Sequence, residues 1–238
     1  MLPHFVLMPG LYGTGELFEP FIAALPAGAS ASMISYPPDA SLGFPDLVDV
    51  VLRNLPGDKK YVLIAESFSG PIALRVAASA PKGLCAVVMS ASFVKNPVSG
   101  MLGLFQRHFG ALFSGISPPE FALRYLLLGE QAPHSLVNRT ADIVHAFNPR
   151  LVSNRVEMVL DLNVVNDLRR SRYPLLYLRG TQDRLIRSAI ADEMLLIRPD
   201  MRLCDVDGPH FLLQVRPREC WQAIQQFLAD AGLEETFN

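Results

Sequence analysis

The sequence predicts an α/β protein with a doubly wound, mostly parallel sheet of about six strands and a helical cap. Short apolar runs alternate with segments of helical spacing, an order typical of parallel strands joined by crossover helices. The run Leu-Cys-Ala-Val-Val-Met at 84–89 contains no charged residue, as expected of a strand covered on both faces. Between Ser92 and Tyr173 the alternation stops and helical spacing dominates, which indicates an inserted helical segment.

Spacing of the apolar residues places each element. The predicted strands lie near 4–8, 32–36, 61–65, 84–90, 174–179 and 201–206. The predicted core helices lie near 16–24, 44–55, 69–80, 188–197 and 217–231. Helical stretches inside the insertion lie at 121–128, 141–147 and 152–168. We therefore expect residues 1–92 and 173–238 to form the core and residues 93–172 to form the cap.

A serine stands where the third predicted strand meets the next helix. The apolar run ends at Ala65, Ser67 follows two positions later, and Ser69 opens an alanine-rich helix. This order is typical of a nucleophile elbow in which small residues let the strand end and the helix start nearly touch. The segment 28–32 (Gly-Ala-Ser-Ala-Ser) fits the same pattern, but no apolar strand precedes it and no helix follows. Context therefore makes Ser67 the candidate nucleophile.

Two later strands end in residues that would complete such a site. Asp183 follows the strand at 174–179, and His210 follows the strand at 201–206. Imidazole titrates near neutrality and suits proton transfer to and from a serine, and a carboxylate would hold its orientation. Because open parallel sheets build their sites at the carboxyl edge, we expect Ser67, Asp183 and His210 to meet there.

Several carboxylates leave alternatives open. Asp205 and Asp207 lie close to His210 in sequence, although on or at the end of its strand rather than on a separate facing loop. Asp183 could instead cap a helix or a turn, as aspartate commonly does. Glu66 could be a solvated elbow residue or a partner of the loop near His210, and solvation is the simpler expectation.

The chain order of serine, acid and histidine, each just after a strand, resembles the α/β-hydrolase superfamily over nearly the whole chain. The resemblance implies an α/β-hydrolase fold that lacks the first two strands, with a cap inserted after the fourth remaining strand. It also implies that the loop 9–15 donates the Leu11 amide to an oxyanion hole, with the Phe68 amide as the second donor. Pro9 stands where the family often has histidine, and backbone donation does not depend on that side chain.

These features predict a serine hydrolase that cleaves a carboxylic ester through an acyl-enzyme, with no cofactor and no metal. The layout, with Gly-Pro-His-Phe at 208–211, also resembles the pimeloyl-acyl-carrier-protein methyl ester esterases. That resemblance implies an ester borne on an acyl-carrier protein as an alternative substrate, although the elbow and oxyanion loop differ, and a thioesterase is a further alternative. An alternative of another class is an idle fold that binds a ligand or a protein.

Composition excludes several other classes. The net charge of −2 gives no sign of a nucleic-acid partner. Cys85, Cys204 and Cys220 are too widely spaced for a disulfide framework or a zinc site, so we expect free thiols in a reducing cytoplasm. The chain opens without a signal-peptide pattern, and no apolar run approaches the roughly 18 residues needed to span a bilayer. The expected partner is the small acyl ester that the predicted serine hydrolase would cleave.

The predicted cap carries an apolar stretch and many arginines. The apolar residues, which could be core or could line an acyl pocket, are Met101, Leu102, Leu104, Phe105, Phe109, Leu112 and Phe113. The arginines are Arg107, Arg124, Arg139, Arg150, Arg155, Arg169, Arg170 and Arg172. A solvated surface is the simpler interpretation of the arginines, and a docking face for an anionic acyl-carrier protein is the alternative.

Overall fold

A computed structural model describes residues 2–97 and 119–233 and shows a sheet of six parallel strands. The strands are β1 (His4–Met8), β2 (Ala31–Met33), β3 (Tyr61–Glu66), β4 (Leu84–Ser90), β5 (Leu175–Gly180) and β6 (Arg202–Val206). Their order across the sheet is β2-β1-β3-β4-β5-β6, and each neighbouring pair is parallel. The predicted parallel sheet is therefore confirmed.

Helices follow the strands along the chain. They are α1 (Glu19–Ala23), α2 (Phe44–Arg53), α3 (Ser69–Ala78), α4 (Glu120–Leu123), α5 (His134–His145), α6 (Pro149–Asp161), α7 (Val165–Arg170), α8 (Ser188–Ile197), α9 (Leu212–Val215) and α10 (Pro217–Asp230). A 3₁₀ turn at Glu16–Phe18 precedes α1, and a π turn at Arg124–Leu128 continues α4. The helices predicted for the core are all present, and their ends differ from the prediction by no more than two residues when the 3₁₀ turn is counted with α1.

Alternate side chains of each strand pack on opposite faces of the sheet. Val6 and Leu63 belong to a buried cluster that also contains residues of α2, α3 and α8. Phe5 and Ile64 belong to a second cluster that includes residues of α1 and α10. In that second cluster the ring of Trp221 meets the ring of Phe5 edge-on, with 5.4 Å between their centroids. Both faces are covered, so the sheet is doubly wound as the sequence predicts.

The second strand is shorter than predicted, and the difference bears on the site. The sequence predicts a strand over 32–36, but β2 ends at Met33. The Ile34 amide still donates to a carbonyl of β1, whereas the Tyr36 amide donates to the carbonyl of Gly13 at 2.8 Å. Gly13 has a positive φ of 72° and turns the loop after β1 toward this segment. Tyr36 therefore leaves the sheet and lies beside that loop.

The prediction of a single helix over 152–168 is wrong, because the helix is interrupted between α6 and α7. Asn163 forms an antiparallel bridge with Lys95, in the segment that leaves β4. The Val164 amide also donates to the carbonyl of Val94 at 2.7 Å. Pairing with this extended segment takes backbone groups that a continuous helix would have used internally.

The remaining insertion helices differ from the prediction in their bounds. The stretch 121–128 begins as α4 and changes to the π turn, and 141–147 overlaps the end of the longer helix α5. The apolar stretch 101–113 of the predicted cap, which includes Arg107, lies outside the described residues. The division of the chain into a core and a cap stays a prediction.

Candidate active site

The strand order changes direction between β1 and β3, and the loops that follow these two strands lie together. Ligand sites of open parallel sheets form at such a point, outside the carboxyl ends of the strands. The loop 9–15 follows β1, and Ser67 follows β3. A Cβ atom placed on Gly10 would lie 3.7 Å from Cβ of Ser67, so the two loops are in direct contact. The candidate nucleophile and the candidate oxyanion loop are thus neighbours.

Ser67 occupies a strained turn. Its φ is 49°, in the left-handed region that L residues rarely adopt. The Ser67 amide donates to the carbonyl of Ser90 at 2.9 Å, which extends the pairing of β3 with β4 by one bond. Its carbonyl accepts from the Gly70 amide at 3.1 Å and from the Ser92 hydroxyl at 2.6 Å. These bonds hold the turn on both sides of the hydroxyl group.

Small residues surround this turn. Ala65 is fully buried in β3, and Ser69 is fully buried at the start of α3. The Ser69 hydroxyl donates to the carbonyl of Pro9 and accepts from the Tyr36 hydroxyl, with 2.5 Å between the two oxygens. Ser69 is therefore small, as the elbow pattern requires, and its hydroxyl also bonds the elbow to the loop after β1.

Gly70 is a further packing requirement that the sequence analysis missed. A Cβ atom on Gly70 would lie 1.9 Å from Oγ of Ser92 and 2.6 Å from Cε of Met89. The backbone of α3 therefore approaches the segment after β4 more closely than any side chain at position 70 would allow. The signal was present in the sequence, as the glycine directly after the small residue of the elbow.

The structure brings Ser67, His210 and Asp183 into one hydrogen-bonded chain. Nε2 of His210 lies 3.0 Å from Oγ of Ser67, and Nδ1 of His210 lies 2.9 Å from Oδ2 of Asp183. A carboxylate accepts hydrogen bonds, so Nδ1 carries the proton and Nε2 is left to accept from the serine hydroxyl. The other oxygen, Oδ1 of Asp183, accepts from the amides of Leu185 and Ile186 at 2.8 and 3.0 Å. The carboxylate is therefore fixed from both sides.

Burial and charge act on His210 in opposite directions. The side chains of His210 and Asp183 are each only 3% exposed. Burial alone would lower the pKa of His210, but the charge and hydrogen bond of Asp183, together with the charge of Glu66, outweigh it. The net result is a pKa of His210 above its usual value. Protonation of this imidazole is therefore favoured by its surroundings.

The rival carboxylates bond to other groups. Asp205 accepts from Nε of Arg179 at 2.6 Å, and this bond lowers the pKa of Asp205. Asp207 accepts from the hydroxyl of Thr181 at 3.0 Å and from side-chain Nε2 of Gln182 at 2.8 Å. Of the three aspartates near this loop, Asp183 is the one that contacts the imidazole.

The two candidate oxyanion donors are available. Across residues 2–97 and 119–233, neither the Leu11 amide nor the Phe68 amide has a hydrogen-bond acceptor. Phe68 directly precedes α3, where amide groups point out of the helix without partners. Backbone N–H groups beside a nucleophile can stabilise negative charge that develops on a bound carbonyl oxygen.

The expectation that Glu66 is solvated is wrong. Its side chain is fully buried, and Oε2 accepts from the hydroxyl of Tyr12 at 3.0 Å and from Nε2 of Gln214 at 2.8 Å. Burial raises the pKa of Glu66, although Gln214, His210 and Tyr12 each act against that rise. Tyr12 and Gln214 lie 54 and 148 positions away in the sequence, so no local pattern indicates this cluster.

The expectation that the arginines of the insertion are solvated is also wrong for Arg155. Arg155 is 1% exposed and contacts the loop after β1. Arg150, on the same helix, is exposed in contrast. The buried guanidinium has no local sequence signal, because the two carbonyl groups that it bonds to belong to residues more than a hundred positions away.

Metal-binding clusters and membrane-spanning helices are both absent from residues 2–97 and 119–233. In the part of the chain that the structure describes, no three His, Cys, Asp or Glu side chains converge on a point where a metal ion would fit. Among the helices of that same part, none combines the length and the apolar character that crossing a membrane requires.

A parallel sheet with a candidate nucleophile on the turn after its central strand is the architecture of the α/β hydrolases. The chain belongs to this class, because the model of the alpha/beta hydrolase family matches residues 5–223. The α/β-hydrolase fold without the first two strands, expected from the sequence, is thereby confirmed. A search of curated protein sequences returned no significant match.

Solved structures of known hydrolases and related enzymes share the fold. The enol-lactonase from Burkholderia xenovorans LB400 is 15% identical with a TM-score of 0.81, over 96% of this chain and 92% of that one. The bromoperoxidase from Bacillus anthracis is 17% identical with a TM-score of 0.78, over 97% and 93%. MenH from S. aureus is 17% identical with a TM-score of 0.76, over 97% and 94%. At these identities the likeness shows the fold alone.

Proposed function

We propose that the protein is a serine hydrolase that cleaves a carboxylic ester through an acyl-enzyme. The observation that carries the proposal is the chain of bonds from Ser67 through His210 to Asp183, at 3.0 and 2.9 Å. A serine hydroxyl is a weak nucleophile until an adjacent base accepts its proton. Membership of the alpha/beta hydrolase family supports a hydrolase, and the bonded serine supports covalent catalysis.

Acylation begins with proton transfer from Oγ of Ser67 to Nε2 of His210. Oγ then forms a bond to the carbonyl carbon, and the electron pair of the carbonyl moves onto its oxygen. The amides of Leu11 and Phe68 are the proposed donors to this oxyanion, and Asp183 stabilises the imidazolium. Collapse of the intermediate breaks the bond to the alcohol oxygen, which takes the proton from Nε2 as it leaves.

Deacylation repeats the steps with water. Nε2 of His210 accepts a proton from water as the water oxygen bonds to the acyl carbon. The second tetrahedral intermediate collapses, the bond to Oγ of Ser67 breaks, and Oγ regains the proton from the imidazolium. The acid product leaves and the free enzyme is restored. The proposed steps use groups of this chain and water.

Covalent labelling tests the proposal directly. A fluorophosphonate should modify Ser67, located by mass spectrometry, and labelling should be lost in Ser67→Ala and collapse in His210→Ala. Ser188→Ala is the matched control, because Ser188 is an exposed serine at the start of α8 and its loss should leave labelling unchanged. Ester hydrolysis that persists undiminished in Ser67→Ala would overturn the proposal.

The nature of the substrate is a separate question. A thioesterase or an esterase of acyl-carrier-protein esters would use the same three residues. A carrier-dependent enzyme should turn over the carrier-borne ester much faster than the free ester, whereas equal rates would favour a free small-molecule ester. Thermal stabilisation by a ligand without labelling at Ser67 would instead favour the non-catalytic, ligand-binding alternative.

We also propose that the protein works in the cytoplasm. All three cysteines are free thiols, and Cys85 and Cys204 are only half-buried. Partly accessible free thiols are typical of a reducing compartment. Fractionation of cells that produce the tagged full-length protein would test this location, and recovery in an extracytoplasmic fraction would contradict it.

A further inference from the structure

Arg155 places a buried positive charge beside the loop that follows β1. Its side chain is 1% exposed, although it belongs to helix α6 of the insertion. Nη1 donates to the carbonyl of Leu11 at 2.6 Å, and Nη2 donates to the carbonyl of Pro37 at 3.3 Å. No carboxylate of the described residues lies within 4.0 Å of the guanidinium group to balance its charge. Burial lowers the pKa of Arg155 to about 10, so the group stays charged at neutral pH.

The loop is shaped to receive this guanidinium. Gly13 has a positive φ of 72°, and a Cβ atom there would lie 2.3 Å from Nη1 of Arg155. The rings of Tyr36 and Phe147 each lie with their centroids 5.7 Å from Cζ of the arginine. The charge is therefore held by two carbonyl groups and two aromatic rings, which favour a planar cation.

The carbonyl that Arg155 contacts belongs to a tight turn. The Gly13 amide donates to the carbonyl of Gly10 at 3.0 Å, so Leu11 and Tyr12 are the corner residues of that turn. The peptide between the two corner residues can take either of two orientations in such turns. That peptide consists of the Leu11 carbonyl and the Tyr12 N–H, and a charge-assisted bond to the carbonyl selects one of its two orientations. The bond therefore acts on the Leu11 amide indirectly, because it fixes the backbone rotation of Leu11 on the far side of its Cα atom from that amide. On the other side, the Tyr12 hydroxyl is bonded to buried Glu66.

Burying a charge without a counter-ion is costly, so a simple packing role would be filled better by an apolar side chain. We propose that Arg155 is a positioning residue that holds the turn carrying the Leu11 amide in the geometry needed to bind the oxyanion. This role rests on the proposed function and deepens it. Arg155, on helix α6 of the insertion, would thus act on the reacting carbonyl oxygen only through Leu11, without contact with the substrate.

The test compares Arg155→Met with Arg150→Met. Arg150 is an exposed arginine of the same helix, so the same substitution there controls for changes to the helix itself. With a neutral aryl ester, we expect Arg155→Met to lower kcat by about tenfold to a hundredfold with little change in KM, since full loss of an oxyanion donor costs about 10²–10³. Arg150→Met should match the wild type. Arg155→Lys, which cannot bridge both carbonyls, should recover only part of kcat.

A second measurement is independent of activity. Amide hydrogen exchange of residues 9–15 should accelerate in Arg155→Met and remain unchanged in Arg150→Met. Arg155 also lines a cavity of about 340 Å³, through which methylguanidinium could reach the vacated position in Arg155→Ala. Restoration of kcat by that cation in Arg155→Ala, but not in Arg150→Ala, would support the proposal.

The outcomes separate the two proposals. Unchanged kcat and unchanged exchange in Arg155→Met, in a protein whose turnover depends on Ser67, would overturn the role of Arg155 alone. If the wild type shows no turnover that depends on Ser67, the proposed function fails, and loop exchange still decides whether Arg155 holds the turn. Should Arg155→Met not fold, Arg155→Lys replaces it, because lysine keeps the charge but cannot bridge both carbonyls. Unchanged kcat together with unchanged exchange at 9–15 in Arg155→Lys would then overturn the proposal.

Discussion

Glu66 and Gln214, 148 positions apart in the sequence, meet in a buried hydrogen bond of 2.8 Å between Oε2 and Nε2. Glu66 directly precedes the candidate nucleophile, and Gln214 lies on α9, just after the loop of His210. The hydroxyl of Tyr12, from the loop after β1, reaches the same oxygen at 3.0 Å. One buried carboxylate therefore joins three of the four segments that form the candidate site, all but the loop of Asp183.

The charge of Glu66 is expected to tune the general base. Glu66 is one of the groups that raise the pKa of His210, so Glu66→Gln should lower that pKa. The acidic limb of the kcat/KM profile, below which His210 is protonated and inactive, should then move to lower pH. Tyr12→Phe removes a hydrogen bond but keeps the carboxylate, and its acidic limb should stay near that of the wild type. Superimposable profiles for Glu66→Gln and the wild type would contradict this role.

Asp183 should have a larger effect on the same limb. As the pH falls, the wild type should lose activity when His210 becomes protonated. Because the pKa of His210 is raised, this loss should occur at a pH above the usual histidine pKa of about 6.5. Asp183→Asn removes the charge that raises the pKa of His210 most, so the effect of burial dominates and the acidic limb moves to lower pH. The maximal rate should also fall by about 10⁴-fold, because the wrong imidazole tautomer is favoured. The pH dependence of kcat/KM measures both changes, and a limb that stays in place would count against the assignment.

Protonation of His210 should stabilise the fold, although the same protonation abolishes activity. Because its pKa is raised in the folded state, protonation of His210 stabilises the fold below the unfolded value of about 6.5. That contribution is lost as the pH rises through the higher folded pKa. Urea unfolding of the wild type and of His210→Gln should thus show a difference in unfolding free energy that is largest at acidic pH and shrinks on the alkaline side. A difference that grows toward alkaline pH would show that the pKa is lowered instead.

The parts of the site that could be predicted from sequence are those with local signals. Ser67, Asp183 and His210 each come directly after an apolar run, and strand ends in a parallel sheet necessarily converge on one edge. Apolar runs likewise located the strands, most clearly β1, β3, β4 and β5, whose residues are buried on both faces of the sheet. Position along the chain and burial pattern were sufficient for these features.

Features that depend on distant partners could not be predicted in this way. The break before Val165 follows from pairing with the segment after β4, and the early end of β2 follows from a bond to Gly13. The sequence around Glu66 and Arg155 predicts solvated surface charges, yet both side chains are buried. Their hydrogen-bond partners Gln214 and Leu11 lie 148 and 144 positions away along the chain. A charged residue carries no local mark of burial, because its neighbours in space determine it.

Gly70 offers a test of how tightly the elbow is packed. In Gly70→Ala the new methyl group would meet Oγ of Ser92, which now donates to the carbonyl of Ser67, and Cε of Met89. Overpacking of this kind costs about 1–3 kcal/mol, and displacement of Ser92 would loosen the strained turn, so both the urea midpoint and the rate of Ser67 labelling should fall. Gly57→Ala is the matched control, because nothing lies within 4 Å of a Cβ atom there. Adding Ser92→Ala to Gly70→Ala removes the closest contact, so part of the stability should be recovered. The labelling rate should not recover, because the bond from Ser92 to the carbonyl of Ser67 is still missing. Recovery of both would mean that Ser92 does not hold the turn.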